Sequence, residues 1–502
     1  MGLGTKEAAP PDQAARDRIG RELESTLFVE AGAGSGKTTA LVTRVVNLVV
    51  KGEAEMREIA AVTFTEKAAT ELRDRVRQEL EKRAETADST EVAARCAAAL
   101  EQLDGAAVGT LHSFAQRILS ENPVEAGLPP RVDVLDEVSS GVEFDRRWTA
   151  WRDQLLADPT LERTLLLLFA SWVKADALRV LAAAFDDNWD LVAERVPTAV
   201  SEPEDVRTLI EPYLAELEAV CAEVERCLTP GDNLAVRLGE IADFVALLRR
   251  PGHEADILEA LDPDRRDCPS FKVGNLGRQG DWDCDLKDLR ARVREAGDEL
   301  LAIRAHVAAT CAVRLAAAMR EFTLSAAHER RRDGRLDFHD LLVLARSVLR
   351  DREHGAAVRE RLHRRYRKLL LDEFQDTDPI QIELAVRIAA ADPTSDAAGE
   401  SPWHEVAVTP GQLFVVGDPK QSIYRFRRAD ISTFLEAKER FGDSEGNLVE
   451  LTANFRTGPE VITWVNDVFA RLMQEEPDLL VPVNSRPDFV PLQAVRPPAT
   501  AG

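Results

Sequence analysis

The segment Ala31-Gly32-Ala33-Gly34-Ser35-Gly36-Lys37-Thr38-Thr39 constrains this chain more than any other. It lies between a short apolar run, Thr26 to Glu30, and an apolar helical pattern from Thr38 to Val50. The run reads as a buried strand and the pattern as a helix. Glycines let the backbone turn so that successive N–H groups face a phosphate. The helix N-terminus adds its positive dipole end. Lys37 then reaches the β- and γ-phosphates, and the Thr38 hydroxyl takes one Mg²⁺ position. Ala31 stands where such a loop commonly starts with glycine, but the crowded turn lies at Gly34 and Gly36. Ala31 through Thr39 are the expected nucleotide cradle. A chance Gly-rich turn would not need both the strand before it and the helix after it.

A phosphate loop of this kind needs an acid at the end of another strand. Leu369-Leu370-Leu371-Asp372-Glu373 supplies one. Asp372 is placed to hold Mg²⁺ through water, and Glu373 to orient and deprotonate an attacking water. An isolated Asp-Glu pair can also serve only to satisfy N–H groups at a helix start. The phosphate loop favours the metal reading.

Strand, turn and helix alternate in two stretches, which implies a parallel sheet covered by helices on its faces. Expected strands are Thr26–Glu30, Ile59–Phe64, Ala106–Leu111, Lys368–Leu371, Leu413–Val416 and Leu448–Thr452. Between the two stretches, Leu161–Phe185, Glu204–Leu228 and Asp288–Arg332 carry apolar residues at helical spacing, with Gly297 the only breaker in the last. Pro251–Asp285 reads as loop-rich and Asp392–Gln412 as a surface loop. A helix is expected over Pro459–Leu472. The tail after it carries Pro477, Pro482, Pro487, Pro491, Pro497 and Pro498 and has no regular pattern.

Net charge bears on the partner. Lys and Arg total 64 and Asp and Glu 88, a formal charge of −24. That excludes holding nucleic acid by bulk charge and leaves open a local basic groove. The 502 residues allow two to four domains. None of the six cysteines forms a C-x-x-C pair, so reduced thiols are expected. Met1 to Lys6 carries no apolar core of a signal peptide. The longest near-apolar stretch, Leu165–Val173, is too short for a bilayer. A cytoplasmic location without membrane partners is the expectation.

At this point the chain resembles the superfamily 1 DNA helicases of the UvrD/Rep type. Asp12-Gln13 precedes the first strand, where that family uses a Gln to read adenine. Ala61-Val62-Thr63-Phe64-Thr65-Glu66-Lys67-Ala68-Ala69-Thr70-Glu71-Leu72 looks like motif Ia, and Gly109-Thr110-Leu111-His112-Ser113-Phe114 like the following DNA-contact motif. Asp372-Glu373-Phe374-Gln375-Asp376-Thr377 looks like motif II. Val416-Gly417-Asp418-Pro419-Lys420-Gln421-Ser422-Ile423-Tyr424-Arg425-Phe426-Arg427-Arg428 looks like motif III, and Leu451-Thr452-Ala453-Asn454-Phe455-Arg456-Thr457 like motif IV. The motif III wording, with Gly334-Arg335-Leu336-Asp337-Phe338-His339-Asp340, is more similar to the recombination-type RecB and AddA group.

The resemblance implies an α/β fold: a RecA-like P-loop sheet with helices on both faces, plus a mostly helical inserted subdomain. It implies a first lobe over 1–136 and 333–447, an insertion over 137–332, and the opening of a second lobe over 448–502. It implies ATP and Mg²⁺ as ligands and single-stranded DNA as partner, with a helicase–nuclease partner subunit in view. Gln13 would face adenine. Lys37, Asp372, Glu373, Gln421 and Arg456 would be catalytic, with Thr38 and Asp372 at the metal. Gln421 would sense the γ-phosphate, and Arg456 would act on it from a second domain. Phe64, Thr65, His112, Ser113, Tyr424, Arg425, Phe426 and Arg427 would contact DNA, with Phe114 read alongside them. Aromatic faces stack on bases while interleaved arginines take phosphates. Lys67, Arg73, Arg75, Lys420 and Arg428 would add positive charge to a narrow groove.

The implied activity is 3′→5′ translocation and unwinding in repair or recombination. No segment resembling motifs V and VI, or a nuclease domain, follows Arg456, so a weak or inactive fragment is expected. Two other classes stay open. One is a P-loop ATPase switch that never moves on DNA. The other is an ATP-gated DNA-binding or scaffold subunit.

Overall fold

A computed structural model describes residues 9–376, 378–443, 446–473 and 487–497. Met1 to Lys6, Thr377, Pro477, Pro482 and Pro498 lie outside the described residues. The chain divides into two compact units, one formed by the described residues up to Val134 and from Arg332 onward, the other by Leu135–Arg331.

The first unit opens with α1 (Gln13–Arg21), β1 (Leu27–Ala31), α2 (Lys37–Val50), β2 (Ile59–Thr63), α3 (Glu66–Glu85), α4 (Thr90–Gln102), β3 (Ala107–Thr110), α5 (Leu111–Glu121) and the short β4 (Asp133–Val134). Local signals fix the helix starts. Thr65 accepts from the Ala68 N–H, Ser89 from Val92 and Thr110 from Ser113, each satisfying a donor that has no intrahelical partner.

The second unit holds α6 (Glu137–Ala157), α7 (Glu162–Ala170), α8 (Ala175–Asp186), α9 (Trp189–Arg195), α10 (Val206–Ala222), α11 (Asn233–Leu248), α12 (Glu254–Ala260) and α13 (Leu286–Asp333). The helix expected over Leu161–Phe185 is two helices, broken where Trp172 takes φ 69°. The one expected over Glu204–Leu228 ends at Ala222 in a 3₁₀ turn. The loop-rich reading of Pro251–Asp285 misses α12 and misses the packing: Ile257, Leu258, Phe271, Val273 and Trp282 are all buried.

Gly297 does not break α13, which runs unbroken for 48 residues. Phe271 packs over the glycine, and a Cβ there would lie 2.1 Å from Phe271 Cγ. By length and composition α13 is long and apolar enough to cross a membrane, which the reading of Leu165–Val173 as the longest near-apolar stretch does not anticipate. Alanines on its open faces raise the average. Leu300, Val307, Cys311, Leu315 and Met319 recur at helical spacing and are buried in the core of this unit.

The first unit then resumes with β5 (Arg335–Leu336), α14 (Phe338–Arg350), α15 (Gly355–Arg365), β6 (Lys368–Leu371), α16 (Pro379–Ile388), α17 (Asp396–Glu400), β7 (Leu413–Gly417), α18 (Ile431–Lys438), β8 (Leu448–Leu451), β9 (Ala453–Asn454), α19 (Pro459–Leu472) and β10 (Gln493–Ala494). β4 and β5 pair in parallel where the chain leaves and re-enters the unit. Asp392–Gln412 is not a free surface loop. Arg359 donates to the Pro393 carbonyl at 2.7 Å and Arg387 to the Ala398 carbonyl at 2.5 Å, and both arginines are buried.

The central sheet has six strands in the order β3-β2-β6-β7-β1-β8, all parallel. This is the expected α/β class. β1, β2 and β7 are buried along their whole length, as strands covered on both faces must be. The boundary expected at residue 448 falls inside this sheet. Leu448 pairs beside Phe28 and Leu451 beside Ala31, so β8 is an edge strand next to the phosphate loop.

Candidate functional site

Parallel strands deliver every motif to one edge. Ligands of open α/β sheets bind there, outside the carboxyl ends of the strands. The phosphate loop follows β1, Phe64-Thr65 follows β2, and His112-Ser113 lies in the first turn of α5 after β3. Asp372-Glu373 follows β6, Asp418–Arg428 follows β7, and Asn454–Arg456 closes β9 after β8. Strand order then separates the work. β1, β6 and β8 gather the residues expected at the nucleotide, β2 and β3 carry Phe64 and His112, and the segment after β7 runs from the first group to Tyr424 and Phe426.

Gly34 and Gly36 have φ of 69° and 83°. A side chain at Gly34 would also lie 2.8 Å from Asn454 Nδ2 and 2.9 Å from Arg456 Cβ. Lys37 Nζ lies 2.6 Å from Glu373 Oε2. Glu373 itself has φ 48°, a left-handed backbone rare for non-glycine residues and often found at functional sites. It turns the chain sharply after Asp372, whose side chain is buried. The Asp372 carboxyl is pushed up to about 6, chiefly by burial and then by the neighbouring Glu373 charge, against the pull of Lys37. Ser35 Oγ is buried without a hydrogen-bond partner in the protein, and the buried Thr63 hydroxyl lies against the Asp372 carboxyl, lowering its pKa slightly against the effect of burial. With the half-buried Thr38 hydroxyl, this is a set of hard oxygen donors of the kind that fits Mg²⁺. Thr39 is exposed at the start of α2.

A second segment closes on the phosphate loop. Asn454 Nδ2 donates to the Ala33 carbonyl at 2.6 Å, and the Phe455 N–H donates to the Gly34 carbonyl at 3.0 Å. Asn454 Oδ1 accepts from the Arg456 and Thr457 N–H groups. Arg456 is therefore beside the loop, exposed, and carried by the same sheet unit. This corrects the expectation that it arrives from a second domain, because β8 ties its segment to β1. Gln13 sits in α1 with its amide on Asp17 at 2.8 Å. The sequence reading missed its neighbours. Arg16 pairs with Asp12, donates to the Ser35 carbonyl at 2.7 Å and lies 5.0 Å from the centre of the Phe455 ring. Asp12 also accepts from the Ala453 N–H. A lone Arg in an N-terminal helix carries no local signal of such a role.

Gln375 links the two halves of the site. Its Nε2 donates to Glu373 Oε2 at 2.8 Å, and its Oε1 accepts from the Asp418 N–H at 2.8 Å. Ser422 Oγ donates to the Gln375 carbonyl. Gln421 donates to Asp418 Oδ2 at 2.5 Å, so it joins this network through Asp418. Two residues beyond Ser422, Tyr424 lies against Phe64 with ring centres 4.7 Å apart and planes tilted by 38°, and Phe426 lies 5.8 Å from Tyr424. Arg427 lies 5.9 Å from both rings. Phe426 is 78% exposed, and Arg425 is exposed beside it.

The remaining candidates divide. His112 is half-buried with its ring edge-to-face on Phe338, and its pKa is lowered by burial and by the nearby His339. Thr65 and Ser113 are exposed; Thr65 caps α3 and Ser113 Oγ donates to the Thr110 carbonyl. Phe114 is buried against Tyr366 and belongs to the core, not to a DNA face. Several expected cations are already engaged. Lys420 pairs with Glu30, Arg428 with Asp378, Arg75 with Glu71, and Arg73 donates to the Val108 carbonyl. Lys67, Arg425 and Arg427 remain exposed.

The sequence matches the family model of the UvrD/REP helicase N-terminal domain over residues 12–442. Among curated proteins it is similar to an ATP-dependent helicase/nuclease subunit of Ligilactobacillus salivarius, 27% identical over 93% of this chain and 39% of the relative. The protein of the same name from Pediococcus pentosaceus is 24% identical over 90% and 38%. That from Exiguobacterium sibiricum is 27% identical over 89% and 39%. The chain spans about two fifths of the length of these relatives.

Proposed function

The chain belongs to the UvrD/REP helicase N-terminal domain family, and we propose that it supplies the ATP-binding and strand-gripping part of an ATP-driven DNA helicase of repair or recombination. ATP·Mg²⁺ supplies the phosphoryl group whose transfer to water drives the cycle. Lys37 and the Gly34–Gly36 backbone hold its phosphates. Asp372 and Thr38 hold the metal. Glu373 orients and deprotonates the water. Arg456 stands beside the loop, where it stabilises charge on the transferred group, a role worth about 10³–10⁵ in rate. Gln13 faces the adenine side. Single-stranded DNA lies on Phe64, Tyr424 and Phe426, with Arg425, Arg427, Thr65, His112 and Ser113 at its backbone. Movement in the 3′→5′ direction and a helicase–nuclease partner subunit belong to the same proposal; the names of the relatives support the partner.

One observation carries this reading. The Glu373 carboxylate is hydrogen-bonded through Gln375 to Asp418 and Ser422, two residues before Tyr424 and four before the exposed Phe426 ring. A nucleotide switch without DNA would not need exposed rings at the end of that path. The test is ATP hydrolysis by this chain with and without oligo-dT. Stimulation by oligo-dT that disappears with Tyr424→Ala and Phe426→Ala supports the reading. ATP hydrolysis at the same rate with and without DNA overturns it.

A further inference from the structure

Glu30 is buried in β1, two residues before Gly32, and takes no part in the chemistry above. Lys420 Nζ lies 2.7 Å from its Oε1 and Lys438 Nζ 2.8 Å from its Oε2. The two lysines come from different places. Lys420 is in the turn Pro419–Gln421 after β7, and Lys438 is the last residue of α18. Both are largely buried, with side chains 19% and 12% exposed.

Burying three charges adds little to stability, since well-packed apolar residues often do as well or better. What such groups can give is register. The register is specific in this case. Glu30 lies beside Gly417 across the β1–β7 ladder. Lys420 is the residue before Gln421, and its Nζ is also 3.8 Å from Asp418 Oδ1. Asp418 is the residue that takes Gln421 on one side and Gln375 on the other. The carboxylate at the root of the phosphate loop thus holds the turn from which the aromatic stack extends, and Tyr424 lies four residues past Lys420.

We propose that Glu30 is a positioning residue: through Lys420 it fixes the Asp418–Gln421 turn to the phosphate-loop strand, so that nucleotide occupancy alters the grip of Tyr424 and Phe426 on DNA. The proposal rests on the reading of that stack as a single-strand DNA site. Lys438 holds the other carboxylate oxygen from α18, outside the Asp418–Gln421 segment, which makes it the comparison variant.

The experiment measures linkage. Fluorescently labelled dT₂₀ is titrated into the 502-residue chain with and without a non-hydrolysable ATP analogue and Mg²⁺, and the ratio of the two DNA dissociation constants is the coupling. A wild-type ratio of about tenfold is expected, within the usual allosteric range, falling to within about twofold of unity in Glu30→Gln and Lys420→Met while each ligand alone changes by less than about threefold. Lys420→Arg and Lys438→Met keep at least half of the wild-type ratio, with thermal melting confirming that each variant is folded. Retention of the full ratio in folded Glu30→Gln or Lys420→Met overturns the proposal. So does equal collapse in Lys438→Met, which would make the trio a packing unit only. A wild-type chain that binds DNA without any nucleotide dependence overturns the coupling role but leaves the DNA site standing. A wild-type chain that does not bind dT₂₀ overturns the DNA reading itself.

Discussion

Asp372 shows what one buried carboxylate costs and why it is there. Its pKa is about 6 against an ordinary 3.8, because burial disfavours the charge and Glu373 stands next to it. The sign follows from proton binding. The folded chain holds this proton more tightly than the unfolded chain, so the contribution to stability is greatest below pH 4 and declines as pH rises through about 6. Asp372→Asn removes the charge and is expected to raise the unfolding free energy by about 2–3 kcal/mol at pH 7 and by little at pH 4, while Mg²⁺-dependent ATP hydrolysis is lost. Denaturant unfolding at the two pH values checks it. Equal effects at both would show that the gain is packing and not charge. ATP·Mg²⁺ affinity of the wild type should also strengthen from pH 5 to 7, since the carboxylate must ionise to hold the metal, and Asp372→Asn should flatten that profile.

At the scale of elements, two segments invite tests in which competing terms have opposite signs. Gly297 in α13 is a poor helix former, and Ala there would gain up to about 1 kcal/mol of propensity. Against that, the new Cβ would lie 2.1 Å from Phe271 Cγ and 2.4 Å from its Cβ, atoms at the root of a buried side chain. Overpacking costs about 1–3 kcal/mol, so Gly297→Ala is expected to destabilise the helical unit. A rise in its unfolding midpoint would refute the packing account. The segment after β7 is the other case. Phe426 is 78% exposed, so Phe426→Ala should leave the fold unchanged and weaken single-strand binding by about 1–3 kcal/mol, the worth of one stacked base. Tyr424→Ala should cost at least as much, because it also frees Phe64. Fluorescence anisotropy with oligo-dT measures both, and unchanged affinity would remove the stack from the DNA site.

For the whole molecule the informative quantity is where the charge goes. The net −24 counted against nucleic acid at first sight. Pairing within the fold sharpens the point, because Lys420, Arg428 and Arg73 are engaged internally, Arg75 holds an exposed pair with Glu71 along α3, and Lys67, Arg425 and Arg427 stand open. With three phosphates neutralised, the slope of log affinity against log salt for single strands should be about −2. Equilibrium titrations from low to moderate salt would measure it. A slope several times steeper, or tight binding to duplex, would mean that a basic surface outside this stack carries the contact.

The parallel-sheet class and the strands that lead into the motifs are legible in the sequence alone. Those signals are local. A glycine run between a strand and a helix, or two acids after an apolar strand, carries its chemistry within about ten residues. Tertiary structure decided what those residues pair with. Lys37 meets Glu373 from 336 positions away and Lys420 meets Glu30 from 390. Arg16 meets Phe455 because β8 joins β1, and the same pairing brings Arg456 beside the phosphate loop. Ion pairs and buried hydrogen bonds are set by which strands lie side by side. Strand order comes from the burial of the whole sheet, and no stretch of the chain short enough to read as a motif contains it.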